Sequence, residues 1–196
     1  MAHRGVDAYK VTMVPVTNGE ILVRWYRKEG AASPGSAVVY YHGGGMVCGS
    51  VDLNDRLVSK YVEATVVPIL SVDYRLAPEY PDTTLVGDGY AALAWFVQRA
   101  DTFGVDKERI AVMGDSGGGG VAAGVAIAAR DARTAVAKQI LIYPMLDDRT
   151  VEPSNPIPRS SHSRRGPMTT TSPDGARCSA RTGEARMSRR WQRRRG

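Results

Sequence analysis

Apolar positions follow two rhythms along the first 150 residues. Residues 9–16 alternate in part (Tyr9, Val11, Met13) and predict a strand, and residues 21–27 return as its partner. Asn18-Gly19 between them is a two-residue hairpin signal. Residues 37–41, Ala-Val-Val-Tyr-Tyr, are apolar without polar alternation, as a strand buried on both faces requires. Leu53, Leu57, Val58, Tyr61 and Val62 recur at helical spacing and predict an amphipathic helix over residues 53–64. Residues 65–72 read as another buried strand, with Pro68 near an end or bulge, and residues 73–79 as a polar connection. A helix over residues 88–103 is stopped by Gly104. Residues 109–113 predict a strand, residues 120–130 an Ala-rich buried helix, and residues 139–143 a last strand closed by Pro144. Repeated strand–helix alternation places the chain in the α/β class, with a mostly parallel sheet and helices on both faces.

Beyond Thr150 the periodicity stops. Residues 151–196 hold nine hydrophobic residues in no stripe, and Ser, Thr, Pro, Gly and Arg dominate. Such a composition buries too little surface to offset chain entropy, so a disordered Arg/Ser/Pro-rich tail is expected after a core of residues 1–150. Charge divides at the same point. Residues 1–150 carry 15 Lys+Arg against 17 Asp+Glu, whereas the tail carries 11 arginines, no lysine and three acids. The net charge of +6 therefore belongs to the tail alone. An arginine-only bias is what an out-of-frame reading of a GC-rich gene would give, so a truncated or frameshifted domain is expected rather than an evolved basic arm. Without aromatic interleaving beyond Trp191, nucleic acid is not the expected partner.

The candidate chemistry lies where the strand at 109–113 runs into the helix at 120–130. Gly114-Asp115-Ser116-Gly117-Gly118 fits G-x-S-x-G, the sharp strand-to-helix turn that holds a serine hydroxyl exposed at the top of a sheet. Glycines beside the serine relieve collisions between strand and helix, and the helix start aims N–H groups at the same point. Gly-Asp-Ser-Gly-Gly also surrounds the serine of trypsin-like proteases, but that reading needs an all-β chain with no helix after the serine. A dinucleotide fingerprint would want glycine where Ser116 stands.

Three motifs occur in order: His42-Gly43-Gly44-Gly45, Asp73-Tyr74-Arg75-Leu76-Ala77-Pro78-Glu79 and Gly114-Asp115-Ser116-Gly117-Gly118. Together they resemble the hormone-sensitive-lipase-like esterases of the α/β-hydrolase superfamily, and Tyr143-Pro144-Met145-Leu146-Asp147-Asp148-Arg149 is similar to the segment after the next strand in bacterial members. The resemblance covers residues 9–150. It implies an α/β-hydrolase fold, incomplete at the C-terminus, acting on small-molecule carboxylic esters without cofactor or metal. Ser116 is then the nucleophile, with an oxyanion hole from the N–H groups of Gly43, Gly44 and Gly117. His42, Gly45, Gly114, Asp115 and Gly118 support the motifs. His42 holds the oxyanion loop and is not the base, and Asp115 is not the triad acid. Asp73, Arg75 and Glu79 brace loops near the site.

The family's acid and histidine follow later strands, in a region that the tail replaces. Asp147 or Asp148 followed by His162 reproduces the order Ser…Asp…His, but no predicted strand positions His162. Three readings stay open: an esterase, a catalytically inert truncated or frameshifted fragment, and an interaction protein using the basic tail. Cys48 and Cys178 form no disulfide framework, and Cys48 beside the glycine loop reads as a small buried residue. No run of 18 apolar residues and no signal-peptide centre are present, so a cytoplasmic setting without a membrane span is expected. Oligomeric state is not legible.

Overall fold

The computed structural model describes residues 6–33, 35–147, 170–171 and 177–178. In chain order the elements are β1 (Val6–Val16), β2 (Gly19–Lys28), β3 (Gly35–Tyr41), α1 (Val51–Thr65), β4 (Ile69–Val72), α2 (Thr84–Gln98), a 3₁₀ turn (Ala100–Phe103), β5 (Val105–Asp115), α3 (Gly117–Asp131) and β6 (Lys138–Ile142). Six strands form one sheet in the order β1-β2-β4-β3-β5-β6. The β1–β2 hairpin is antiparallel and joins β4 antiparallel, while β4, β3, β5 and β6 run parallel. This is the mostly parallel sheet that the strand–helix alternation implies. The short strands β7 (Thr170–Thr171) and β8 (Arg177–Cys178) pair antiparallel with each other. The expected disorder of the tail otherwise lies outside the described residues.

Two apolar layers flank the sheet. On one side α2 and α3 close over Val39, Tyr41, Val72, Ile110 and Val112. On the other, α1 covers Val38, Tyr40, Ile69 and Met113 through Val58 and Val62. Alternate residues of β3 thus serve opposite cores, which is why its sequence is apolar throughout. Trp25, Phe96 and Phe103 meet with ring centroids 5.1 to 5.2 Å apart and lock α2 and the 3₁₀ turn onto β2.

Several boundaries differ from the sequence reading. The hairpin turn is Thr17-Asn18, with Val16 paired to Gly19, so it slides one residue upstream. Asn18 takes the left-handed backbone (φ 61°), which asparagine tolerates. Helix α1 begins at Val51 because Ser50 caps it, its hydroxyl accepting from Leu53 N–H at 3.2 Å. It ends where Val66 turns left-handed (φ 60°), and so β4 is confined to four residues. Helix α2 starts at Thr84, four residues earlier than expected, and gives way after Gln98 to the 3₁₀ turn that Gly104 stops at φ 66°. Tyr143 lies outside β6 at φ 36°. No helix among the described residues is long and apolar enough to cross a membrane.

Candidate active site

Strands β3 and β5 are neighbours in register, with Tyr41 paired to Gly114, so the segments that leave them emerge side by side. After β5 the chain reverses sharply at Ser116, which takes φ 51° and ψ −117°. A non-glycine residue in this region is strained by roughly 1–3 kcal/mol and persists only where its surroundings hold it. Three hydrogen bonds do so. Ser116 N–H donates to Ile142 C=O at 2.9 Å, and Ser116 C=O accepts from Met145 N–H at 2.9 Å and from Gly120 N–H at 3.2 Å. The neighbouring glycines are steric necessities. A Cβ on Gly114 would strike the carbonyl of Gly118, and a Cβ on Gly118 would strike the carbonyls of Tyr41 and His42. Helix α3 begins at Gly117, so its first-turn amides face Ser116 with the positive end of the helix behind them.

The loop after β3 packs against this turn. The position of a Gly117 Cβ lies 2.8 Å from Met46 N and 3.0 Å from Gly45 N. Gly44 (φ 129°), Gly45 (φ 62°) and Met46 (φ 67°) have positive φ in succession, which curls the loop over Ser116's helix. Gly44 C=O accepts from Val47 N–H, Cys48 N–H and the Cys48 thiol at 3.2, 3.0 and 3.3 Å. Gly43 faces Asp115, whose Oδ2 lies 2.7 Å from where a Cβ would stand.

His42 is fully buried beneath this loop. Its Nδ1 donates to Gly43 C=O at 2.9 Å, its ring stacks on Tyr74 at 4.5 Å, and Gly49 packs so close that a Cβ there would lie 2.5 Å from Nδ1. Its Nε2 stands 3.9 Å from Asp73 Oδ1 and has no hydrogen-bond partner among the described residues. Burial pushes the imidazole below its usual range, against the opposing pull of the Gly43 carbonyl and the Asp73 and Asp115 charges. His42 is therefore neutral near pH 7 and turned into the loop. Tyr74 donates to His42 C=O at 2.6 Å, and Asp73 Oδ1 accepts from Val51 N–H at 2.9 Å. Arg75 grips the buried Asp88 with two guanidinium hydrogen bonds of 2.7 and 2.8 Å and one from its backbone N–H at 3.1 Å, and its guanidinium donates to Thr17 C=O at 3.0 Å. The Asp73–Glu79 connection thus ties the loop, α1, α2 and the hairpin together.

Among the predicted site residues, the structure brings Ser116, Gly117, Asp115 and the His42–Gly45 loop together. Asp147 sits exposed beyond β6, while Asp148 and His162 lie outside the described residues. Sequence reasoning missed the roles of Met46, Tyr74 and Tyr40, whose contacts join segments far apart in the chain. A groove of about 440 Å³ opens behind the loop, walled by Gly49, Tyr74 and Leu76 and by Met13, Ile21 and Leu22 of the hairpin, and Ser116 is not among its walls. No group of three His, Cys, Asp or Glu among the described residues is placed to hold a metal ion.

Residues 38–188 match the family model described as the alpha/beta hydrolase fold. The ethyl acetate hydrolase of Pseudomonas putida is 40% identical over 136 residues, which are 67% of this chain and 43% of that protein. An esterase from Pyrobaculum calidifontis superposes with a TM-score of 0.67 at 43% identity, covering 70% of this chain and 45% of the other. A bacterial heroin esterase superposes with a TM-score of 0.73 at 34% identity, covering 77% and 48%. The chain spans less than half the length of these relatives. It belongs to the α/β-hydrolase fold family.

Proposed function

We propose that this chain carries the nucleophile and oxyanion hole of a serine carboxylic-ester hydrolase, with Ser116 forming an acyl-enzyme on small-molecule esters. The observation that carries the reading is the strained backbone of Ser116, set between β5 and the amides of α3 and faced by the loop after β3. Strain of this kind is retained where it serves a site. The esterases among the matched relatives support the choice of substrate class.

In this reading Ser116 Oγ attacks the ester carbonyl carbon and its proton passes to a base. The carbonyl oxygen gains negative charge and accepts hydrogen bonds from Gly117 N–H and from the amides of Gly43 and Gly44, with Gly45 beside them. Removing one such donor costs roughly 10²–10³-fold in rate. The base returns that proton to the departing alcohol as the ester C–O bond breaks, then takes one from water, which attacks the acyl carbon; the acid leaves and the base restores the proton to Ser116 Oγ. His42 is given the task of holding the loop, because its nitrogens face Gly43 and Asp73. The other base and acid candidates, His162 with Asp147 or Asp148, remain as the sequence order suggests them.

A fluorophosphonate probe and p-nitrophenyl butyrate hydrolysis test this together, with Ser116→Ala and His162→Ala beside the unaltered chain. Labelling should vanish in Ser116→Ala. Ester turnover lost in His162→Ala while labelling persists would assign the base to the tail. Labelling without turnover in the unaltered chain would describe a fragment that acylates and stalls. Equal labelling of Ser116→Ala and the unaltered chain would overturn the proposal.

A further inference from the structure

Tyr40 belongs to the α1-side core, yet its hydroxyl leaves that core to reach the site. The ring is fully buried and lies edge-on to Tyr61 at 6.4 Å. Its hydroxyl donates to Asp115 Oδ1 at 2.5 Å. Burial and the Asp115 carboxylate both push the phenol far above its usual range, so it remains a donor at any working pH. The second oxygen of the same carboxylate is the one that Gly43 packs against. Tyr40 lies in β3, three residues before Gly43 of the loop that leaves it, and Asp115 ends β5, one residue before Ser116. A single hydroxyl–carboxylate–glycine stack therefore spans the gap between the loop and the nucleophile.

We infer that Tyr40 is a positioning residue, acting through Asp115 to set the distance between the oxyanion loop and Ser116. The inference rests on the hydrolase reading for its consequence, but its geometry stands apart from it. A hydrogen bond to an ionised acceptor is among the strong ones, and this one fixes a carboxylate that would otherwise be free to rotate. Without it Asp115 can swing, Gly43 loses the surface it rests on, and the loop amides drift from the position of the developing oxyanion. A misplacement of about 1 Å at a reacting centre costs on the order of 10²-fold in rate, so half that drift should cost about tenfold.

The test compares the full chain with Tyr40→Phe, Asp115→Asn and Asp115→Ala. Tyr40→Phe removes one oxygen and keeps the core volume. Asp115→Asn keeps an oxygen that can accept from Tyr40, and Asp115→Ala does not. Two readouts are taken: amide hydrogen exchange over residues 43–46, and the rate of fluorophosphonate labelling as a function of probe concentration. Tyr40→Phe and Asp115→Ala should both speed exchange at residues 43–46 by about tenfold while Asp115→Asn stays near the parent, and the labelling rate at saturating probe should fall by a similar factor at unchanged half-saturation. Exchange in Tyr40→Phe within about twofold of the parent, or a labelling loss confined to half-saturation, overturns the inference. Should the parent itself fail to label, the hydrolase reading fails, and the exchange readout still decides whether Tyr40 holds the loop.

Discussion

Replacing Gly118 by alanine isolates the close approach of α3 to the end of β3. Gly118 lies in the first turn of α3, and an added Cβ would strike the carbonyls of Tyr41 and His42 and stand 2.6 Å from the Tyr41 carbonyl carbon. The nearest atom, the Tyr41 carbonyl oxygen, stands at 2.1 Å and ordinary contact for a Cβ begins at 3.4 Å, so α3 and the end of β3 must part by about 1.3 Å. Strain from inserting a methyl group into a packed site costs roughly 1–3 kcal/mol. Against this, alanine gains up to about 1 kcal/mol in helix propensity over glycine. Gly87 in α2 supplies the control, because nothing lies within 4 Å of its added Cβ. Gly87→Ala should therefore gain about 0.5–1 kcal/mol. Gly118→Ala should lose about 1–2 kcal/mol, so that urea midpoints at constant m move in opposite directions. Activity should fall much further than stability in Gly118→Ala, by on the order of 10²-fold, since the displacement falls between the helix that follows Ser116 and the loop. Equal stabilisation of the two variants would refute the close approach. A stability loss with unimpaired labelling of Ser116 would refute its link to the site.

Arg75→Ala leaves the Asp88 carboxylate, 1% exposed, without its bidentate partner, and breaking a buried pair on one side costs about 3–5 kcal/mol. The urea midpoint should fall accordingly, and Arg75→Lys should recover only part because lysine cannot make the two-pronged contact. For His42 the sign follows from its lowered pKa. The unfolded chain binds the proton at higher pH than the folded chain, so stability is present above about pH 6.5 and declines as pH falls below it. His42→Asn should flatten this part of the stability profile by up to about 1.4 kcal/mol per pH unit. Parallel profiles for the two proteins would remove His42 as the cause.

The strands and the turn at Ser116 were legible because each is written in adjacent residues. The apolar run at 37–41 announces a central strand, and Gly114 to Gly118 announces the tight turn. Element ends were less legible where a distant partner sets them. Helix α1 starts at Val51 because Ser50 caps it and Asp73, 22 residues away, accepts from Val51 N–H. The supports of the site were hidden for the same reason. Tyr40 meets Asp115 across 75 residues and Tyr74 meets His42 across 32, and no local period encodes either contact. The family resemblance points to the glycine loop as oxyanion donors, while the contact of Gly43 with Asp115 and of Gly45 and Met46 with Gly117 exists only in the folded chain.

The attachment of Ser116 has a consequence for how the site comes apart. Two of the three bonds that hold its strained backbone come from Ile142 and Met145, at the end of β6 and just after it. Among the described strands β6 lies at the margin of the sheet, and its first three residues are exposed. Margins open more readily than centres. Ser116 sits over the middle of the sheet but takes two of its three fastenings from β6 and the segment just after it, so a perturbation that loosens β6 from β5 reaches Ser116 without passing through the rest of the sheet.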